Sequence, residues 1–194
     1  MSLNVKGEVH VVEPSPAERA VIRRASESRA TVPALELSLA APQPAAATER
    51  LIAACALALR GHPRANASYR DGQFELYSRI SVGVLVATPD TYAIPTVFDA
   101  DQKPIEALAA EIAALTEQAR AGTLPAPALS GATFTVWNAG EQGIAAASLP
   151  VVSPQAAMLA AGTRDLVLAC DHRILYGATA AQCLGAIRAE LQRG

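Results

Sequence analysis

The chemistry of this sequence concentrates in one triplet, Asp171-His172-Arg173. It follows the apolar run Leu166–Cys170 and precedes Ile174-Leu175-Tyr176-Gly177. The end of a buried strand is where a sheet presents a functional group. A neutral imidazole there can take a proton from a substrate near physiological pH. The same residues also have a plainer reading, a local Asp171–Arg173 ion pair with His172 as bystander. The other two histidines read as solvent-side, His10 on an edge strand and His62 in a helix-ending loop. Cys55, Cys170 and Cys183 lie far apart in apolar surroundings with no CxxC pattern. They read as reduced, buried thiols, not as a disulfide frame or a zinc site.

The elements that must position the triplet follow from periodicity and turn chemistry. Leu166–Cys170 is expected to pair with Ala156–Ala161 across the tight Gly162–Asp165 turn. A C-terminal helix is expected over Thr179–Gln192. Residues 7–13 alternate enough to be an edge strand, ended by Pro14 and Pro16. Ser15 then caps a helix to about Arg29, with Pro16 in its first turn and Glu18 three residues after the cap. A strand is expected over Ala34–Leu39, a Pro/Ala linker over Gln43–Ala46 and a strongly apolar helix over Thr48–Leu59. Asp71-Gly72 marks a hairpin within Asn66–Tyr77. Ile80–Ala87 reads as one continuous buried strand. Further strands are expected over Ile94–Phe98, Thr133–Trp137 and Leu149–Ser153, and a long helix from Lys103-Pro104 to about Ala121. The sum is an α+β fold, a two-layer sandwich of a large mixed sheet with helices packed on it.

Composition narrows the function classes. A chain of 194 residues with net charge -2 fits one domain and argues against a basic nucleic-acid binder. A hydrophobic fraction of 51% argues against disorder. Aromatics are only 4%, so alanine carries much of the apolar count and subunit contacts are expected to add burial. The start Met-Ser-Leu-Asn-Val-Lys has no apolar signal-peptide core, and no run reaches the roughly 18 apolar residues of a membrane span. No membrane and no nucleic acid are expected as partners, and a cytoplasmic location is. Residues 1–7 read as an N-terminal arm or a cloning scar, and 8–194 as the working domain.

Beyond these patterns, Asp171-His-Arg-Ile-Leu-Tyr-Gly-Ala178 resembles the Asp-His-Arg-x-x-Asp-Gly-Ala signature of one family. That family is the catalytic domain of the acyltransferase component of 2-oxo acid dehydrogenase complexes, with chloramphenicol acetyltransferase sharing its fold. Other stretches resemble the family in the same order. They are Ile22–Pro33, Arg60–Tyr69 with its Ala-Asn-Ala-Ser, Ile80–Asp90 with Val-Ala-Thr-Pro-Asp, Asp101–Leu108, Gly131–Asn138 and Ser153–Leu159. The resemblance covers nearly the whole chain from about residue 8.

It implies a chloramphenicol acetyltransferase-like fold and His172 as general base. The base would deprotonate the thiol of coenzyme A or of a dihydrolipoyl group for attack on a thioester. It implies a homotrimer with the site at the subunit seam, a larger core as an extension, and partners among lipoyl-bearing domains and other dehydrogenase-complex subunits. Coenzyme A and the dihydrolipoyl group would be substrates, with no covalently bound cofactor and no metal. Asp171, Arg173 and Gly177 would support the site, and Trp137, Asn138 and Tyr176 would contact substrate.

The sequence also departs from the pattern. Tyr176 stands where the family has an aspartate four positions after the histidine. Glu18 aligns with the arginine that pairs with that aspartate, so both halves of one ion pair are replaced together. Trp137 stands at the serine that stabilises the oxyanion. Thr91 replaces a glycine after Pro89-Asp90, the hairpin near Gly162 and the stretch before Leu51 are shortened, and no lipoyl or subunit-binding domain is expected within these residues. Three readings stay open: an acyltransferase with an altered pocket, a catalytically degenerate trimeric scaffold, and an unrelated α+β binding domain. Trp137 and Tyr176 also have a plain reading as core or interface packing.

Overall fold

A computed structural model describes residues 7–42 and 46–193. Chain order runs α1 (Pro16–Thr31), β1 (Ala34–Ala40), α2 (Thr48–Gly61), β2 (Ala67–Arg70), β3 (Gln73–Leu76), β4 (Val82–Val84), β5 (Val86–Ala87), β6 (Tyr92–Ala93) and β7 (Thr96–Val97). It continues with α3 (Ile105–Ala121), β8 (Phe134–Asn138), β9 (Ala157–Ala161), β10 (Asp165–Asp171) and α4 (Gly177–Arg193).

Six strands form one mixed sheet in the order β1-β10-β9-β8-β4-β7. The β4/β8 and β8/β9 pairs are parallel, and β1/β10, β10/β9 and β4/β7 are antiparallel. Strand alternation sorts the two faces. Leu166, Leu168 and Cys170 of β10 join the main core with Leu51, Ile52 and Cys55 of α2, Leu108 and Ile112 of α3, and Cys183 and Ile187 of α4. The opposite face, with Met158 and Ala169, is covered by Val32, Leu149 and Val151. The expected α+β sandwich is therefore the observed one.

Local signals explain several elements. Ser15 Oγ accepts from Glu18 N at 3.2 Å while Glu18 accepts from Ser15 N at 2.6 Å, a full capping box. Those bonds hold the Glu18 carboxyl below the usual carboxylate range. Asp71 and Gly72, at φ 51 and 81, form the tight turn between β2 and β3. In β4, a side chain at Gly83 would meet Ile94 Cγ2 at 2.6 Å, so this central strand needs a glycine.

Four expected strands differ. Residues 7–13 are exposed and carry no ladder, because alternation specifies a strand only when a partner edge is available. Ile80–Ala87 is interrupted at Leu85. β4 stays in the main sheet, and β5 pairs with β6 in a separate two-stranded sheet. Leu149–Ser153 forms no strand. Val151 is buried as a lid on Met158, and its carbonyl accepts from Ser28 Oγ at 2.6 Å. The strand expected over Ile94–Phe98 shortens to Thr96–Val97. Of the expected linker Gln43–Ala46, residues 43–45 lie outside the described residues, as do residues 1–6 of the expected arm.

Candidate active site

The triplet sits where β10 leaves the sheet. Asp171 is 2% exposed and still paired with Ala34 of β1. Arg173 donates to it from Nε to Oδ1 at 2.9 Å, from Nη2 to Oδ2 at 2.6 Å, and from its backbone N to Oδ1 at 2.9 Å. This two-pronged pair is the strong form of a charge-assisted bond. The Asp171 carboxylate also holds Arg173 above its ordinary value. The guanidinium lies over the Tyr69 ring, 4.8 Å from its centre.

The turn that follows is pinned from inside. Ile174 N and Leu175 N both donate to the Asp171 carbonyl at 2.9 Å, and both side chains are buried. His172 N donates to the Pro33 carbonyl at 2.9 Å, tying the turn to the start of β1. With Ile174 and Leu175 inward, His172 and Tyr176 are left exposed on the outside. Their ring centres are 6.2 Å apart with the planes tilted by 59°. Thr179 fixes the Tyr176 backbone: its Oγ1 accepts from Tyr176 N at 3.0 Å and donates to the Tyr176 carbonyl at 2.9 Å. The expected bystander ion pair and the exposed histidine thus coexist. The pair is real, and it shapes the turn that presents the imidazole.

Gly177 opens α4, but nothing lies within 4 Å of where its side chain would start. Its expected supporting role has no close contact in this chain. Glu18, expected opposite Tyr176, is engaged by the cap of α1.

Trp137 and Asn138 are not brought to this turn. Trp137 lies opposite Ala160, which lies opposite Val167. By strand spacing, His172 is about 16 Å further along the sheet and about 10 Å across it. Trp137 is half-buried in a groove of about 760 Å³ with Leu85, Ile112, Thr116 and Arg120. Asn138, expected at substrate, is 8% exposed and structural. Its Nδ2 lies within bonding distance of Ala46 O at 3.0 Å, Thr48 Oγ1 at 2.9 Å and Glu141 Oε1 at 2.9 Å. These contacts serve the N-terminus of α2, whose capping residue Ala47 offers no side-chain bond.

Two residues of the site have no role in the sequence reading. Thr179, three positions after Tyr176, carries the signal of a hydroxyl near a helix start. Tyr69 carries none, since only the folded hairpin brings it over Arg173. Among the described residues, no group of three or more His, Cys, Asp or Glu side chains could hold a metal. Among them, too, no helix is long and apolar enough to cross a membrane.

Comparison with known proteins agrees with this architecture. The family model of the 2-oxoacid dehydrogenases acyltransferase (catalytic domain) matches residues 34–193. Component 3 of the mitochondrial pyruvate dehydrogenase complex dihydrolipoyllysine-residue acetyltransferase of Arabidopsis thaliana is 31% identical over 162 residues, 73% of this chain. The match spans only 30% of that relative's length. The solved dihydrolipoamide acetyltransferase of Azotobacter vinelandii superposes with a TM-score of 0.91 at 26% identity, covering 98% of this chain and 94% of that one. Its structure was studied for the roles of a serine, a histidine and an asparagine in the catalytic mechanism. Chloramphenicol acetyltransferase shares the fold, with a TM-score of 0.56 at 10% identity over 95% of this chain and 99% of that one. On the family match and the shared fold, the chain belongs to the acyltransferase catalytic-domain family of the 2-oxoacid dehydrogenases.

Proposed function

We propose that this domain transfers acyl groups between thioesters of coenzyme A and of a dihydrolipoyl group, with His172 as general base. The observation that carries this reading is the exposed imidazole on a turn held by a fork between the buried Asp171 carboxylate and the half-buried Arg173 guanidinium. His172 takes the thiol proton, and the thiolate adds to the thioester carbonyl carbon. The tetrahedral intermediate then expels the second thiolate, which recovers the proton from the imidazolium. A fixed backbone and a free side chain suit that role, because the base must hold position while its proton changes hands.

The wide separation of His172 and the Trp137 groove supports a site built from two copies. We place the imidazole of one protomer at the Trp137 groove of the next, in a homotrimer that builds into a larger core. Lipoyl-bearing domains and other subunits of a dehydrogenase complex are the partners of this reading. The three unpaired, buried thiols suit a reducing compartment, which we take to be the cytoplasm.

A second reading rests on Trp137. An indole, bulky and half-buried in the groove, favours a degenerate member that keeps the trimer as a scaffold. One assay separates the two. Acetyl-CoA, propionyl-CoA or isobutyryl-CoA with dihydrolipoamide should give S-acyl product that His172→Ala abolishes. A full-length wild-type protein that forms no product above buffer refutes the transferase reading and favours the scaffold.

A further inference from the structure

Base catalysis at His172 needs a backbone that stays in place while the imidazole gains and loses a proton. One oxygen closes the turn that carries it. Asp171 Oδ1 accepts from both the backbone N and the Nε of Arg173, each at 2.9 Å, and His172 is the residue enclosed between them. The turn is therefore as firm as the hold on the Arg173 side chain. The bonds of the fork lie in the plane of the guanidinium, so they resist sliding within that plane better than tilting out of it. The Arg173 side chain is 35% exposed, so water competes for its donors. The remaining direction is closed by a residue of another sheet. Tyr69, on β2 of the two-stranded β2/β3 sheet, has its ring centre 4.8 Å from Arg173 Cζ, with the guanidinium over the ring. We propose that Tyr69 is a positioning residue for acyl transfer: its ring clamps the Arg173 guanidinium on Asp171 and so fixes the backbone from which the His172 imidazole projects. The assignment rests on the reading of His172 as base given above.

The ring is anchored to the turn at several points. Tyr69 packs against Ala67, Ala156 and Ile174, the last of them in the turn itself. Ser68, between Ala67 and Tyr69, pairs with Gln155, and the next residue, Ala156, accepts from Asp171 N at 2.8 Å through its carbonyl. Phe74, the cross-strand partner of Tyr69 on β3, supports the ring at 5.7 Å between ring centres. The Arg64 guanidinium lies in turn over Phe74, 4.7 Å from its centre. An aromatic face attracts a cation through its quadrupole, more strongly where water is displaced. Without that face the guanidinium tilts into water, its bond to Oδ1 is lost and the turn loosens. A misplacement of about 1 Å in a reacting group can cost about 100-fold in rate. The contact uses the face of the ring, so the Tyr69 hydroxyl is dispensable to it.

The test compares full-length wild type, Tyr69→Phe, Tyr69→Leu and a protein carrying trifluorophenylalanine at 69, using acetyl-CoA and dihydrolipoamide. Tyr69→Phe keeps the π face and should hold kcat within about twofold of wild type. Trifluorophenylalanine keeps nearly the same shape but draws electrons from the face, so it should lower kcat about tenfold, as should Tyr69→Leu. KM for acetyl-CoA should stay within about twofold throughout, because the ring acts on the base and not on substrate binding. Trifluorophenylalanine with the kcat of Tyr69→Phe shows that packing suffices and overturns the assignment, with acyl transfer left standing. Tyr69→Leu with kcat near wild type overturns it too. A fall of Tyr69→Phe to the level of Tyr69→Leu assigns the effect to the hydroxyl and also refutes the clamp, and a rise in KM alone does the same by moving the role to substrate binding. A wild type that transfers no acyl group removes the base reading and this role with it.

Discussion

Replacing Asp171 by asparagine tests whether the Asp171–Arg173 fork, and not the apolar packing alone, holds the His172 turn. The amide keeps the shape of the carboxylate but loses its charge. One of its ends becomes an NH2 facing the Arg173 donors that now bond at 2.9 and 2.6 Å. Breaking a buried ion pair by changing one partner costs about 3–5 kcal/mol. The Arg173 side chain keeps 35% exposure and can recover water, which places the loss nearer about 2–3 kcal/mol. Unfolding entropy of about 2.1 cal/mol/K per residue, over 194 residues, is about 0.4 kcal/mol/K. The melting temperature should therefore fall by about 5–7 °C. Calorimetry on wild type and Asp171→Asn at equal protein concentration measures this, with urea unfolding to confirm an unchanged slope. A shift under about 2 °C would show that Ile174 and Leu175 hold the turn without the ion pair, and the role assigned to the fork would be refuted.

Two further predictions concern the remaining local features. Ser15→Ala removes a capping bond and should cost about 1 kcal/mol. Because the folded Glu18 carboxyl titrates below its usual range, the box is fully stabilising above about pH 4.3 and weakens as pH falls through the lowered folded value. The gap between wild type and Ser15→Ala should therefore narrow toward acid, and a gap that widens below about pH 4 would contradict the capping account. Burial pushes the thiols of Cys170 and Cys183 up to about 11 and about 12, and raises that of Cys55 as well. A disulfide reagent at about pH 8, near the ordinary thiol value, should label none of them in the native protein and all three after denaturation. Rapid native labelling would mean that the α2–α4 core opens.

The candidate site was partly legible from sequence. Asp171-His172-Arg173 stood out because three polar, titratable side chains directly after an apolar run must be held where the strand leaves the sheet. Their neighbours Ile174 and Leu175 are the anchors that such a turn requires. Asn138 was misread. A polar residue beside Trp137 looks available to substrate on paper, yet it is buried under the N-terminus of α2, a helix 90 residues earlier that lacks its own side-chain cap. Its partners come together only after β8 docks beside α2.

The sequence by itself determined what depends on neighbours in the chain. The Ser15–Glu18 box, the Asp71-Gly72 turn and the strand pair around Gly162–Asp165 all close over a few residues, so local sterics and hydrogen bonding suffice. Tertiary structure alone decided the rest. It left residues 7–13 without a ladder, turned Leu149–Ser153 into a lid on Met158, and ended β4 at Val84 so that β5 could pair elsewhere. It also set His172 beside Tyr176 and far from Trp137. A strand exists only where an unpaired edge meets it, and distances across a sheet follow from strand order and register, which no local pattern encodes.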